Sequence, residues 1–287
     1  MKCGALIFAH NNREVDYALL SIISAGLVKK NLQVPVSLVS DESTIEWMKT
    51  SNIYSRAVEV FDQIIQVEKP VTNNYRNLHD GTSKKIVPFV NSNRASAYDL
   101  TPYDRTLLLD SDFLIFSDRL NEYWEVDEDV LIAESMLDFY SQSRMGYHDK
   151  YISDTGVHMF WATTVMFTKN KNGKRFFDLV NFVRENYQYY GDLFRFDTKQ
   201  YRNDIAFSVA NHILFGFKTD KRISLPKLLT AIDKDILHSV DDSGKLIFLI
   251  NANLNDKFCA AAIKDIDVHV MNKESIVRNA KSLLRLI

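Results

Sequence analysis

Apolar residues fall along this chain at two different spacings, and the switches between them mark its elements. Residues 5–9 (ALIFA) form an unbroken apolar run that stops at His10-Asn11-Asn12. A run so short, with no 3.6-residue period, predicts a strand buried on both faces. Val15, Leu19, Ile22, Ile23 and Leu27 then recur at helical spacing, and Lys29-Lys30 stand where a helix C-terminus favours cations. Residues 34–39 (VPVSLV) predict a second strand, ending in Ser40-Asp41. Strand, helix and strand in that order predict a βαβ unit and a parallel sheet. Residues 42–48 predict a helix with Asp41 as its candidate N-cap. Residues 57–67 hold an alternating or apolar stretch that fits a short strand. Residues 72–83 are polar and predict a surface loop near a site. Residues 84–98 predict a helix with Ile86, Phe89, Val90, Ala97 and Tyr98 at its apolar positions.

The centre of the chain is TLLLDSDFLIF, residues 106–116. Residues 107–109 predict an interior strand, Asp110-Ser111-Asp112 interrupts it, and residues 113–116 are apolar again. Ionised carboxylates are costly to bury unless they are paired or bind a metal. Two residues apart, Asp110 and Asp112 would share one face of a regular strand. Convergent carboxylate oxygens suit a hard divalent cation. A bare turn, which also favours Asp and Ser, is the other reading of the triplet. In open parallel sheets ligands bind beyond the carboxyl ends of the strands. His10-Asn11, Ser40-Asp41 and Asp110-Ser111-Asp112 all fall at that edge. Arg94 lies sixteen residues before Asp110. On a helix beside the central strand its guanidinium would reach a phosphate in a two-pronged contact; a solvated helix-face arginine is the alternative.

In the second half, residues 130–133 (VLIA) predict a strand and residues 158–168 (HMFWATTVMFT) one or two more. Residues 174–190 predict an amphipathic helix with Phe176, Leu179, Val180, Val183 and Tyr187 on one face. Another helix runs through Leu214, with Asn203 or Asp204 as its expected N-cap. Residues 217–256 contain a strand-like LIFLI among polar breaks, and residues 270–287 predict a basic closing helix with Lys273, Arg278, Lys281 and Arg285.

Composition narrows the function classes. The 287 residues include 35 basic and 37 acidic ones, a net charge of −2. No basic field points to nucleic acid or an anionic membrane, so any anion site must be local. Two cysteines, Cys3 and Cys259, make no metal or redox spacing, which fits a reducing, cytoplasmic setting. No apolar run approaches the ~20 residues of a membrane span, and the N-terminus lacks the pattern of a cleaved leader. With no repeat or linker, one domain over 1–287 is expected: a nucleotide-binding half, 1–120, and an acceptor-side half with a C-terminal helix, 121–287.

Residues 94–118, RASAYDLTPYDRTLLLDSDFLIFSD, carry a resemblance. The run resembles nucleotide-sugar glycosyltransferases of the GT-A fold, in particular the glycogenin-like and lipopolysaccharide galactosyltransferase-like group. Those proteins place an Arg or Lys, then a helix ending in an L-x-x-Y-D turn, before an apolar strand entering a metal-binding D-x-D. Here Leu100-Thr101-Pro102-Tyr103-Asp104 stands in the turn. The opening LIFAHNN and the strand PVSLVSD are also similar to that group. The resemblance implies an α/β fold with a mostly parallel central sheet flanked by helices. It implies that Asp110 and Asp112 bind Mn²⁺ or Mg²⁺, which holds the diphosphate of a nucleotide sugar, a UDP-sugar being the first expectation. Arg94 and Ser111 would contact the donor, and Ala9, His10, Asn11 and Asp41 would lie around the nucleoside. His269 and Lys273 are similar to the family's closing H-x-x-G-x-x-K, at shorter spacing and with Asn272 in place of Gly. His269 would be the third metal ligand and Lys273 a diphosphate contact. Asn203-Asp204 is similar to the family's D-Q-x-x-L-N helix start, offset by about a residue, whose side chains lie at the reacting sugar. A carboxylate there would bind sugar hydroxyls or stabilise charge developing at the anomeric carbon. Where the family reads F-N-x-G-V, this chain has Phe160-Trp161-Ala162-Thr163-Thr164-Val165. The Asn and Gly are missing, and no site residue is carried over there.

The expected function is metal-dependent transfer of a sugar from a nucleotide diphosphate to an acceptor hydroxyl, with retention as in the group resembled. The alternatives are a nucleotide-sugar binder without catalysis and, at a distance, a phosphohydrolase of the haloacid-dehalogenase type. The latter wants Thr or Val two residues after the second Asp, where Leu114 stands.

Overall fold

The computed structural model describes residues 1–12, 14–70, 74–79, 83–90, 92–140, 150–154, 156–216, 223–251 and 257–287. Strand β1 (Cys3–Phe8), helix α1 (Tyr17–Leu32) and strand β2 (Val36–Asp41) form the βαβ unit expected from the apolar pattern. β1 and β2 pair in parallel, with Ile7 opposite Leu38. Helices α2 (Glu42–Thr50) and α3 (Tyr54–Val60) lead to β3 (Gln63–Val67), which pairs in parallel with β2. The stretch 57–67 is thus the end of a helix followed by a strand. α1 is buried nearly all round rather than along one stripe, with Leu20, Ile22 and Ile23 fully inaccessible. A helix apolar on every side must be covered on every side. The sheet covers one face of α1 and the C-terminal residues the other. A Cβ on Gly26 would overlap the Ile287 side chain, so glycine permits that close approach.

Strands β4 (Tyr75–His79) and β5 (Lys84–Pro88) pair antiparallel. This corrects two expectations. Residues 72–83 are not wholly loop, although 72–73 and 80–82 lie outside the described residues, and residues 84–98 are not one helix. Pro88 supplies the reason: inside a helix it would remove a hydrogen bond and clash with the preceding turn. Before it, Ile86 is 73% exposed and Val87 1% exposed, the alternation of a strand. Helical structure is confined to a 3₁₀ turn (Ser92–Ser96) and to α4 (Ala97–Leu100).

Strand β6 (Arg105–Leu109) pairs in parallel with β1. The turn before it is tied down by its own side chains. The Tyr103 ring lies on Gly4, its hydroxyl is 2.8 Å from Ser37 Oγ, and Asp104 accepts from the Lys2 amide at 2.8 Å. Strands β7 (Phe113–Leu114), β8 (Val130–Ala133), β9 (Met136–Asp138) and β10 (Trp161–Thr168) follow. β10 lies between β6 and β8, antiparallel to both. The central sheet therefore runs β3-β2-β1-β6-β10-β8, with five strands in one direction and β10 reversed, and helices flank it. Because β10 is reversed, it begins at the edge where β1, β2 and β6 end.

Helix α5 (Lys171–Glu185) starts at an Asn170 cap and stops before α6 (Tyr187–Phe194), so the expected helix over 174–190 is two helices. α7 (Asn203–Phe215) has Arg202 as its N-cap residue, with extended backbone. Asn203 and Asp204 are consequently inside the first turn and do not cap it, which releases both side chains for other contacts. Strands β11 (Leu228–Ala231), β12 (Ile236–Val240), β13 (Leu246–Asn251), β14 (Phe258–Ile263) and β15 (Val268–Val270) complete the β structure. A second sheet is ordered β7-β15-β11-β9 and a third β12-β13-β14. The closing helix is also divided, into α8 (Lys273–Arg278) and α9 (Ala280–Leu283). Asn279 separates them, its amide donating to Leu237 O at 2.7 Å and Ser275 O at 2.9 Å. Among the described residues no helix is long and apolar enough to cross a membrane.

Candidate functional site

β6 ends at Leu109, and the chain turns through Asp110-Ser111-Asp112 before β7. The turn is fixed from three sides. The Asp110 amide donates to Thr163 O at 3.0 Å, the Phe113 amide to Asp110 O at 3.2 Å, and the Val270 amide to Asp112 O at 2.9 Å. The last of these joins the turn to β15 and so to His269, opposite Phe113 in the ladder. Asn272 then caps α8, its Oδ1 accepting from the Ser275 amide at 3.1 Å and its amide donating to Asp235 O at 2.9 Å. Asn272 thus starts a helix, and Lys273 is that helix's first residue.

The outcome is a cluster. Ligand atoms of Asp110, Asp112 and His269 lie within 4.8 Å of one another. His269 Nε2 is 3.6 Å from Asp112 Oδ2. Lys273 Nζ bonds Asp112 directly, and Arg94 Nη1 is 2.5 Å from Asp110 Oδ1. Burial pushes the Asp112 carboxyl up, but Lys273 and His269 outweigh it and hold the group far below the carboxylate range. Burial raises Asp110, and the Arg94 guanidinium offsets it only in part. Asp110 is the more open of the two, its side chain about a third exposed at the floor of the cleft. Arg94 is 3% exposed, and its Nε and Nη2 have no hydrogen-bond partner among the described residues. His269 Nδ1 is also without one. Buried donors left unpaired are costly, and a buried guanidinium more so than a neutral group.

This cluster forms part of the wall of a cleft of about 330 Å³. Arg94, Asp110, Ser111, Asp112, Asn203, Asp204, His269 and Lys273, all named from the sequence, line it. Asp204 reaches the sheet edge, where its Oδ1 accepts from the Ala162 amide at 3.0 Å; its Oδ2 is 3.4 Å from Arg202 Nη2. The sequence reading did not assign Tyr17, Tyr75, Phe89, Thr163 or Arg202 to a site, yet these line the cleft too. Arg202 had a signal, being adjacent to Asn203-Asp204. Tyr75 and Phe89 had none, because only the β4–β5 hairpin brings them there.

Ala9, His10, Asn11 and Asp41 lie at the same sheet edge but not on the wall of this cleft. Ala9, His10 and Asp41 are fully buried. Ser40 Oγ donates to Ala9 O at 2.7 Å, and His10 Nδ1 is 3.0 Å from Asp41 Oδ2. Burial lowers the His10 pKa against its hydrogen bonds with Asp41 and Asn93. Asp41 caps α2, accepting from the Thr44 amide at 3.1 Å, Thr44 Oγ1 at 2.7 Å and Ser43 Oγ. Burial would raise Asp41, yet the bonds from Ser43, Thr44 and His10 bring it down to about 2. Asn11 closes the start of α1, accepting from the Ala18 amide at 2.8 Å and donating to Asp16 at 3.1 Å. It borders a separate, open cavity with Trp47 and Lys69.

No known protein family matches the chain by its sequence profile, and no curated protein matches it. Solved structures of glycosyltransferases are similar to it. The galactosyltransferase LgtC, solved with donor and acceptor sugar analogues, is 18% identical over 72% of this chain and 70% of that one, with a TM-score of 0.44. The glycosyltransferase GlyE of Streptococcus pneumoniae TIGR4 is 17% identical over 78% of this chain, with a TM-score of 0.40, and the match spans 46% of its length. The fold, a mixed α/β arrangement with a largely parallel sheet between helices, resembles that of these glycosyltransferases.

Proposed function

We propose that the chain is a glycosyltransferase that moves a sugar from a nucleotide diphosphate to an acceptor hydroxyl with the help of a divalent cation. One observation carries this reading: Asp110, Asp112 and His269 converge within 4.8 Å in a cleft also lined by the charged groups of Arg94, Arg202, Asp204 and Lys273. Two carboxylate oxygens and an imidazole nitrogen are a donor set that Mn²⁺ accepts, with Mg²⁺ favouring the oxygens. The His269 Nε2, 3.6 Å from Asp112 Oδ2, and the unpaired Arg94 donors fit a site that takes a cation and an anion together. Such a cation, held by Asp110, Asp112 and His269, would neutralise the charge that builds on a departing diphosphate.

The protein's own groups do the rest. Arg94 presents two unused guanidinium nitrogens to phosphate oxygens. Lys273 is an ammonium at the first residue of α8, available to a phosphate once Asp112 has another counter-ion. Asp204, fixed by the Ala162 amide, presents carboxylate charge to the reacting sugar and would stabilise positive charge at its anomeric carbon. Ala9, His10, Asn11 and Asp41 shape the edge from beneath, and Ser111 lies in the cleft between the two aspartates. UDP is the first nucleotide to test. A thermal-shift screen of UDP-, GDP-, ADP- and CMP-sugars with and without Mn²⁺ tests the proposal. The expected result is stabilisation that needs both metal and one nucleotide sugar and is lost in Asp112→Ala. Folded protein that no pair stabilises would overturn it.

A further inference from the structure

Among the described residues, the outer edge of β14 in the third sheet pairs with no strand. Edge strands are ordinarily blunted by charge, proline, a bulge or a covering helix. β12, at the other edge of the sheet, has two of these: its ladder shifts register between Leu237 and Ser239, and α8 packs against it. The β4–β5 hairpin carries Arg76, Lys84, Lys85 and Pro88. β14 reads FCAAAI, with no charge and no proline, its ladder with β13 is continuous, and its first three residues are exposed. The sheet is also apolar on both faces. Leu246, Phe248 and Ile250 of β13 are buried, and Phe139 packs on Phe248 with ring centres 5.0 Å apart. The opposite face carries Ile236, Ile247, Leu249, Phe258, Ala260 and Ala262, each half-buried or exposed. An antiparallel sheet with one face in water ordinarily alternates apolar and polar positions, so this pattern calls for a cover.

We infer that a second copy of this chain supplies it: β14 of one copy pairs antiparallel with β14 of the other about a two-fold axis, joining the two sheets into one. An axis normal to the sheet keeps each face continuous, and so pairs residues an even number of positions apart. Any of the three alanines, Ala260, Ala261 or Ala262, can lie on it. With Ala261 on the axis, Ala260 meets Ala262, Cys259 meets Ile263, and Lys257 meets Asp265, once on each side. With Ala260 on the axis Lys257 would face Ile263, and with Ala262 on it Asp265 would face Cys259, so the charge pair selects Ala261. Lys257 and Asp265 flank the strand and both are exposed. Opposite charges facing each other across strands fix register and partner. The alanines let the two backbones meet at the centre, and the apolar strip of Ile247 and Leu249 runs on across the axis. A strand from another protein would need its own complement to Lys257 and Asp265, which a second copy already carries at the matching spacing. β14 is not on the wall of the cleft, so the inference is independent of the function proposed above.

Sedimentation equilibrium of the full chain tests it. An edge-to-edge contact is small, so the expected result is a monomer–dimer equilibrium with a dissociation constant in the micromolar range. Lys257→Glu sets a carboxylate against Asp265 on both sides of the axis and weakens the dimer at least about tenfold. Lys257→Glu combined with Asp265→Lys restores it. Both positions are exposed, and circular dichroism confirms that each variant keeps the fold. Cross-linking reads the register. In a background of Cys3→Ser and Cys259→Ser, Ala261→Cys puts two thiols opposite each other on the axis, within disulfide reach, and oxidation gives a covalent dimer. Ala260→Cys puts them two positions apart along the strands, beyond that reach, and gives none. A chain still monomeric at about 100 µM, an assembly larger than a dimer, or a dimer indifferent to Lys257→Glu overturns the inference. So does a double variant no tighter than Lys257→Glu, or cross-linking through Ala260→Cys rather than Ala261→Cys.

Discussion

Replacing Asp41 by Asn separates a structural role from a nucleoside contact at that position. The substitution keeps the shape and one capping oxygen, and removes the charge that Ser43, Thr44 and His10 surround. The side chain is 1% exposed, so solvent screens these bonds little. Its pKa falls from an ordinary 3.8 to about 2 in the fold. At about 1.4 kcal/mol per pH unit this is worth about 2–3 kcal/mol of stability at pH 7. Between those two values the unfolded chain binds the proton and the folded one does not, so stability rises with pH there. The contribution is complete above about pH 5 and is lost as pH falls through about 2. Urea unfolding followed by circular dichroism at pH 7, 5 and 3 measures it. Asp41→Asn should cost about 2–3 kcal/mol at pH 7 and 5, and visibly less at pH 3. Its nucleotide-dependent thermal shift should persist, because Asp41 is not on the cleft wall. A loss under about 0.5 kcal/mol, or a gap that does not narrow at pH 3, would refute the reasoning. Lost nucleotide binding with unchanged stability would return Asp41 to the nucleoside.

Three further outcomes are expected. Asp112→Ala and His269→Ala should each weaken Mn²⁺ binding at least about tenfold, read from the free Mn²⁺ signal in electron paramagnetic resonance. Lys273→Met should lower stability by about 3 kcal/mol, because Asp112 keeps its buried charge without its partner; in the same protein Mn²⁺ should bind more tightly than in the parent when no nucleotide is present. Tyr103→Phe should cost about 1 kcal/mol in urea unfolding through the lost bond to Ser37, and leave the nucleotide shift intact.

Local chemistry alone settled much of this protein. Short apolar runs with no helical period and polar breaks on either side read as interior strands, so β1, β2 and β6 were legible, and with them the polar edge at their carboxyl ends. Asp110 and Asp112 stood out because charge at the end of a buried strand demands a partner. Arg94, His269, Lys273 and Asp204 were legible by resemblance, and the structure brings all four to the same cleft. Tertiary structure decided what depends on contacts distant in sequence. A helix was expected over 84–98 because apolar positions matched its period, but Pro88 and the pairing of β5 with β4 outweighed that match. Asn203 and Asp204 looked like caps, yet the extended Arg202 backbone moved the helix start and freed Asp204 for the sheet edge. Asp41 stands as the cap of α2, as expected, and hydrogen bonds join His10 to Asp41 and Asn11 to Thr44, Asp16 and Ala18, contacts that only the fold brings together. Tyr75 and Trp161 are 86 positions apart in the sequence, and no periodicity links them. Only the hairpin and the reversed strand β10 put their rings into one cleft.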